Sequence, residues 1–186
     1  MPKFHRNYVP GGTYFFTAAT YGREPIFASE TARRLLGQVM RECNERYPFA
    51  TDAIVLLPDH MHIIWRLPSG DDDYSRRWAW LKRRFTKQWL AEGAPERRTT
   101  TAQRQQRRKG VWQPRYWEHT ISDEDDYEQH VNYVHYNPVK HGYVACPHEW
   151  PYSSFHRYVR QGHFVREWCC GGSEVRERWI DLATGE

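Results

Sequence analysis

Two spacings of apolar residues divide the chain into elements. Thr13 to Thr20 (TYFFTAAT) is aromatic and β-branched behind the pair Gly11-Gly12, which predicts a first strand. Ser29 can cap a helix running to about Tyr47. Within it Ala32, Leu35, Leu36, Val39, Met40 and Cys43 recur at helical steps, and Pro48 closes it. Two apolar runs follow, Ala53 to Leu57 and Ile63 to Leu67, separated by Pro58-Asp59-His60-Met61-His62. They predict adjacent strands joined by a short turn.

Asp71-Asp72-Asp73 and Ser75 offer N-caps to a second helix over about 76–90, whose apolar stripe is Trp78, Leu81, Phe85 and Trp89. Periodicity vanishes from Gly93 to Gly110, where Thr, Gln and Arg dominate, so 93–110 is expected to be a flexible basic loop. Val111 to Ile121 returns to aromatics and predicts a fourth strand. A third helix is expected to open at Ser122, with a capping pattern to Asp125, and to stop at Asn137-Pro138. The order strand, helix, strand, strand, helix, strand predicts an α+β fold. It fits a ferredoxin-like split βαβ sandwich with an antiparallel sheet, helices packed on one face, an extra C-terminal helix and an irregular tail. Residues 1–168 are expected to form a single domain and 169–186 a tail of unknown role.

The mean hydropathy is −0.91, yet 16% of the residues are aromatic, which argues against disorder. No apolar run is long enough to span a membrane, and Met1 to Pro10 lacks a signal-like apolar core. A cytoplasmic protein is therefore expected, with Cys43, Cys146, Cys169 and Cys170 as reduced thiols. The net charge of +4 is unevenly spread. Between Arg76 and Lys109 lie twelve Lys or Arg against only Glu92 and Glu96, whereas the rest of the chain is net acidic. Such segregation suggests a footprint for a polyanion, although a solvated basic face would look alike.

Candidate chemistry rests on two places. His60 and His62 stand two apart; on an extended segment both imidazoles point to one side, where they could share a metal ion, or they are ordinary polar residues of a turn. Tyr133 and Asn137 stand four apart, one helical turn, if the helix persists that far. A phenol is a weak nucleophile at neutral pH, and a divalent cation beside it would stabilise attack on a phosphate. For any one of Tyr127, Tyr133 and Tyr136 taken alone, aromatic packing is the stronger reading.

Taken in order, these features resemble the HUH single-tyrosine transposases, and more closely their REP-associated tyrosine transposase branch. The resemblance is carried by Gly11-Gly12-Thr13-Tyr14-Phe15-Phe16-Thr17, Leu57-Pro58-Asp59-His60-Met61-His62, and Trp112-Gln113-Pro114-Arg115-Tyr116-Trp117-Glu118-His119. Tyr133-Val134-His135-Tyr136-Asn137-Pro138-Val139-Lys140-His141-Gly142 and Trp150-Pro151-Tyr152-Ser153-Ser154-Phe155-His156-Arg157 extend it over roughly 4–168. It implies that His60, His62 and Asn137 ligate Mg2+ or Mn2+ and that Tyr133 is the nucleophile. It further implies cleavage of single-stranded DNA beside a palindromic hairpin through a 5′-phosphotyrosine, then rejoining by a 3′-hydroxyl. No small-molecule substrate is implied.

Physical reasoning adds Arg76, Arg77, Lys82, Arg83, Arg84 and Lys87 as phosphate-neutralising residues, and Arg115 and Lys140 as phosphate clamps. Tyr116 and Trp117 could stack on bases or pack in the core. His119 and His135 are the reserve metal ligands. Three rival readings remain: a hydrolytic nuclease without a covalent intermediate, a hairpin-binding protein without catalysis, and a purely structural zinc, for which two His and no paired cysteines are a poor tetrahedral set. A monomer is expected if Tyr133 reaches the histidines of its own chain.

Overall fold

The computed structural model describes residues 6–95 and 109–172. Most of the expected 93–110 loop, and 173–186 of the expected 169–186 tail, lie outside the described residues. Four strands, β1 (Thr13–Ala19), β2 (Ala50–Leu56), β3 (His60–Arg66) and β4 (Trp117–Thr120), form one antiparallel sheet in the order β2-β3-β1-β4. Helices α1 (Glu30–Arg46) and α2 (Tyr74–Ala91) lie between strands in sequence; α3 (Glu124–Lys140) and the short α4 (Phe155–Arg160) follow them. This is the expected split βαβ sheet.

Side-chain alternation sorts the sheet into two faces. Tyr14, Phe16 and Ala18 of β1 and Met61, Ile63 and Trp65 of β3 pack with Leu35, Val39, Trp78, Leu81 and Phe85 of α1 and α2. Phe15 and Ile64 face the other way, onto Val131, Tyr133 and Val134 of α3. The helices therefore cover both faces rather than one. His60 and His62 have the parity of Ile64, so they face α3, and Met61 faces the opposite core.

Three boundaries differ from the sequence expectation. The cap of α3 is Asp123, whose carboxylate accepts from the Asp126 amide, rather than Ser122. Nor does α3 stop at Asn137: it continues through Pro138 to Lys140. An interior proline costs about 3 kcal/mol, but Val131, Val134 and Val139 are each buried against the sheet at about 1.5–3 kcal/mol apiece, so packing wins. The helix ends instead at Gly142, in left-handed geometry (φ 71°), with Gly142 N donating to Val139 O and Tyr143 N to Pro138 O.

The fourth strand is shorter than expected. Residues 111–113 still lie along the end of β1, where Gln113 N donates to Ala19 O and Thr20 bridges to Trp112. Pro114, which has no amide donor, interrupts the ladder until Trp117 pairs with Thr17. Between these two pairs four residues, 113–116, stand opposite two on β1, 18 and 19, a bulge that leaves Arg115 exposed at the edge of the sheet.

Candidate active site

Both histidines are fully buried on β3, and their ring centroids lie 4.9 Å apart. Each is held from behind. Nδ1 of His60 lies 2.6 Å from Oδ1 of Asp59, and Nδ1 of His62 lies 2.9 Å from Oγ1 of Thr17, its cross-strand partner on β1. A carboxylate only accepts, so His60 carries its proton on Nδ1, which leaves the lone pair on Nε2. Burial opposes the charge of Asp59, but the bond from His60 and the nearby guanidinium of Arg23 outweigh it and hold the carboxyl below its usual range. Arg23 approaches Asp59 at 3.5 Å from a left-handed backbone conformation (φ 55°) that is uncommon for a non-glycine residue.

Tyr133 enters the same place from α3. Its ring centroid is 5.2 Å from that of His62 and 5.9 Å from that of Phe15, both edge-on. Nζ of Lys140 donates to the Tyr133 hydroxyl at 2.9 Å, two helical turns further along. Asn137 lies between them, fully buried, one turn beyond Tyr133. The structure therefore brings Tyr133, Lys140, His60 and His62 of one chain together, with Asn137 on the same helical face. His141, just past the helix, adds its ring 5.2 Å from that of His60. Thr17, Asp59, Arg23 and His141 were not singled out from the sequence. Only Asp59 carried a signal there, as the neighbour of His60; Thr17 needs the strand register.

The reserve ligands lie elsewhere. His135 is buried against Phe155, Tyr158 and Phe164 with a ring nitrogen 2.8 Å from Ser154 Oγ, and burial presses its pKa down to about 3. His119 sits 2.8 Å from Asp126 and stacks on His130, 4.5 Å between centroids.

A family model described as "Transposase IS200 like" matches residues 9–137. A REP-associated tyrosine transposase of Escherichia coli is 40% identical over 168 residues, covering 90% of this chain and 91% of that protein. The chain belongs to the family of REP-associated tyrosine transposases. A solved structure of a REP-associated tyrosine transposase bound to a REP hairpin superposes with a TM-score of 0.75 at 39% identity, covering 90% of this chain and 91% of that one.

The basic residues of this transposase divide sharply. Arg83 and Lys87 are exposed on one stripe of α2, with Arg76, which pairs with Asp73 at 2.9 Å. Arg84 is half-exposed and pairs with Glu42. Arg77, expected on the DNA face, is buried: its guanidinium is spent on Asp71, the Asp73 carbonyl and the Pro48 carbonyl. It holds the turn before α2 to the core and has no surface to offer a phosphate.

Lys82 is half-buried, donates to the Gln113 carbonyl and sits over the rings of Trp78, Trp112 and Tyr116. Burial, then the charge of Arg6, pulls its pKa down to about 7. Tyr116 stacks on Trp78 in the core, while Trp117 faces the α3 side, half-buried beside His119. The basic stripe of α2 and the Tyr133 site are on opposite faces of the sheet, and Arg115 lies on the edge strand between them.

Proposed function

We propose that this transposase nicks single-stranded DNA beside a palindromic hairpin, with Tyr133 as nucleophile and His60, His62 and Asn137 as ligands for Mg2+ or Mn2+. The observation that carries the reading is the approach of Tyr133 to His62 within one chain, with Lys140 on the phenol oxygen. The donor set fits such an ion: two imidazoles oriented through Nδ1 by Thr17 and Asp59, joined by an amide oxygen. When bound, the ion withdraws charge from the phosphate oxygens.

The chain's own residues account for the remaining steps. Lys140 stabilises the phenolate form of Tyr133 by donating to its oxygen. The phenolate oxygen bonds to phosphorus as the bond to the 3′ oxygen breaks; that oxygen takes up a proton and leaves as a 3′-hydroxyl. Tyr133 keeps the 5′-phosphate, and the bond energy so stored lets a later 3′-hydroxyl rejoin the DNA by the reverse displacement. Packing of α3 on the sheet holds the phenol in place and excludes water that would otherwise hydrolyse the intermediate.

A hairpin partner is supported by the relative solved with a REP hairpin. Its phosphates would run from the α2 stripe past Arg115, round the edge strand, to Tyr133. A monomer is supported by a site assembled from a single chain. The proposed compartment is the cytoplasm, where chromosomal hairpins are accessible.

The test is cleavage of a labelled hairpin oligonucleotide with Mn2+, resolved on a denaturing gel. A protein–DNA band that survives boiling and disappears in Tyr133→Phe, and on chelation of the metal, is expected. Cleavage without that band would replace the reading with a hydrolytic nuclease; tight binding without cleavage under either metal would reduce it to a hairpin-binding protein.

A further inference from the structure

The segment after α3 departs from the expectation of four reduced thiols and a patternless tail: Cys146 and Cys170 are joined in a disulfide. Cys169–Gly172 is thereby fastened to the domain rather than forming a separate tail.

Local hydrogen bonds build this junction. Glu149 Oε2 accepts from the amides of Ala145 and Cys146, closing a 3-10 turn over Pro147–Glu149. Gly171 N donates to Ala145 O and brings Cys170 alongside. A ring nitrogen of His148 lies within 4.8 Å of both sulfurs. Nδ1 of His148 is buried and has no hydrogen-bond partner among the described residues. A buried polar atom without a partner is costly, and the ring that carries it lies beside two sulfurs.

We infer that Cys146, His148 and Cys170 form a site for zinc, distinct from the His60–His62 centre and independent of the DNA reading. Two thiolates and an imidazole are a soft donor set, suited to zinc and poorly suited to Mg2+ or Mn2+. Tetrahedral zinc holds two thiolates about 3.8 Å apart and a thiolate and imidazole nitrogen about 3.6 Å apart. Reduction breaks the bond between the two sulfurs and lets them separate to that spacing. Water completes the fourth position.

The disulfide and the zinc site are alternative states of the same donors. On oxidation the two thiolates give two electrons to a peroxide, which takes up two protons and leaves as two waters, while the zinc is released. In either state the junction fastens the end of the described chain beside Trp150. That ring stacks on Tyr143, Tyr143 lies against His141, and His141 lies against His60. The clip thus stands behind one wall of the active site.

Cys169 is outside the donor set; with Trp168 it packs against the apolar cluster between α3 and the sheet, and burial pushes its thiol up to about 11. Cys43 is buried beneath α1 and α2, far from the junction in the fold.

The test titrates the reduced, metal-free full chain with Co2+ and then Zn2+. A thiolate-to-cobalt charge-transfer band, displaced by one equivalent of zinc, is expected. It should persist in Cys169→Ser and in the double variant His60→Ala/His62→Ala, and vanish in Cys170→Ser. His148→Ala retains both thiols, so a weakened band there separates a metal site from a mere thiol pair, and it stands if Cys170→Ser fails to fold. No band in the reduced wild type, or a band indifferent to both Cys170→Ser and His148→Ala, would overturn the assignment. So would a chain that stays two hydrogens lighter under reductant, which would leave only a disulfide clip.

Discussion

The amine of Lys140 lies 2.9 Å from the hydroxyl of Tyr133, two turns away on the same helix and beyond a proline that does not interrupt it. A hydrogen bond to a charged donor contributes about 1.5–3 kcal/mol, and here it would favour the phenolate that the proposed mechanism requires. Lys140→Met should therefore slow hairpin cleavage by about tenfold to a hundredfold while leaving hairpin affinity nearly unchanged. Lys140→Arg should recover part of the rate. Single-turnover cleavage alongside gel-shift binding makes the check; a variant that loses affinity and rate together would mean that Lys140 grips DNA instead.

Thr17 and Asp59 touch the back of the two histidines, and their effect should appear in metal dependence. Removing such an orienting partner typically weakens metal binding about 10–100-fold. Thr17→Val and Asp59→Asn should raise the Mn2+ concentration for half-maximal cleavage by that factor, with much of the rate restored at saturating metal. If the half-maximal concentration does not move, His60 and His62 are not the ligands.

The sequence carried the sheet and the parity of the histidines because alternation on β1 and β3 is unbroken from Tyr14 to Ala18 and from His60 to Trp65. The spacing of Tyr133 and Asn137 was equally plain. Lys140 reads in the sequence as a phosphate clamp near the active site; its bond to the Tyr133 hydroxyl requires a helix that runs on past Asn137. Only the burial of Val134 and Val139 against the sheet, a long-range effect, extends that helix. Thr17 was hidden for a related reason: its bond to His62 depends on strand register. Arg77 was indistinguishable in sequence from Arg76, yet the turn at Asp71 draws one inward and leaves the other exposed. Cys146 and Cys170 lie 24 residues apart and meet only after two turns of chain.

Burial of Lys82 beneath Trp112 and Tyr116 gives the fold a pH dependence of known sign. Its amine is pulled from the ordinary lysine range to about 7. Between about 7 and about 10.4 the unfolded chain holds a proton that the folded chain has released, so stability rises with pH across that window and is flat below it. Lys82→Met should remove this component. Urea unfolding at about pH 7 and about pH 10 should show wild type gaining more, or losing less, on alkalinisation than the variant. Equal changes in the two proteins would show that the amine remains charged in the fold.

The exposed and the buried basic residues on α2 should separate cleanly by experiment. Arg83 and Lys87 are exposed, and each phosphate contact contributes about 0.9 to the slope of log affinity against log salt on duplex DNA. Replacing both with alanine should flatten that slope by about 1.8 for a hairpin stem, weaken binding regardless of stem sequence, and leave thermal unfolding nearly untouched. Arg77→Leu should do the opposite. Its guanidinium is 2% exposed and holds Asp71, so the loss is structural, about 3 kcal/mol, while the salt slope of whatever remains folded stays as in wild type. Measuring both variants in the same salt series decides the matter. A flattened slope in Arg77→Leu would return it to the DNA face, and an unchanged one in the Arg83, Lys87 pair would move the hairpin off α2 altogether.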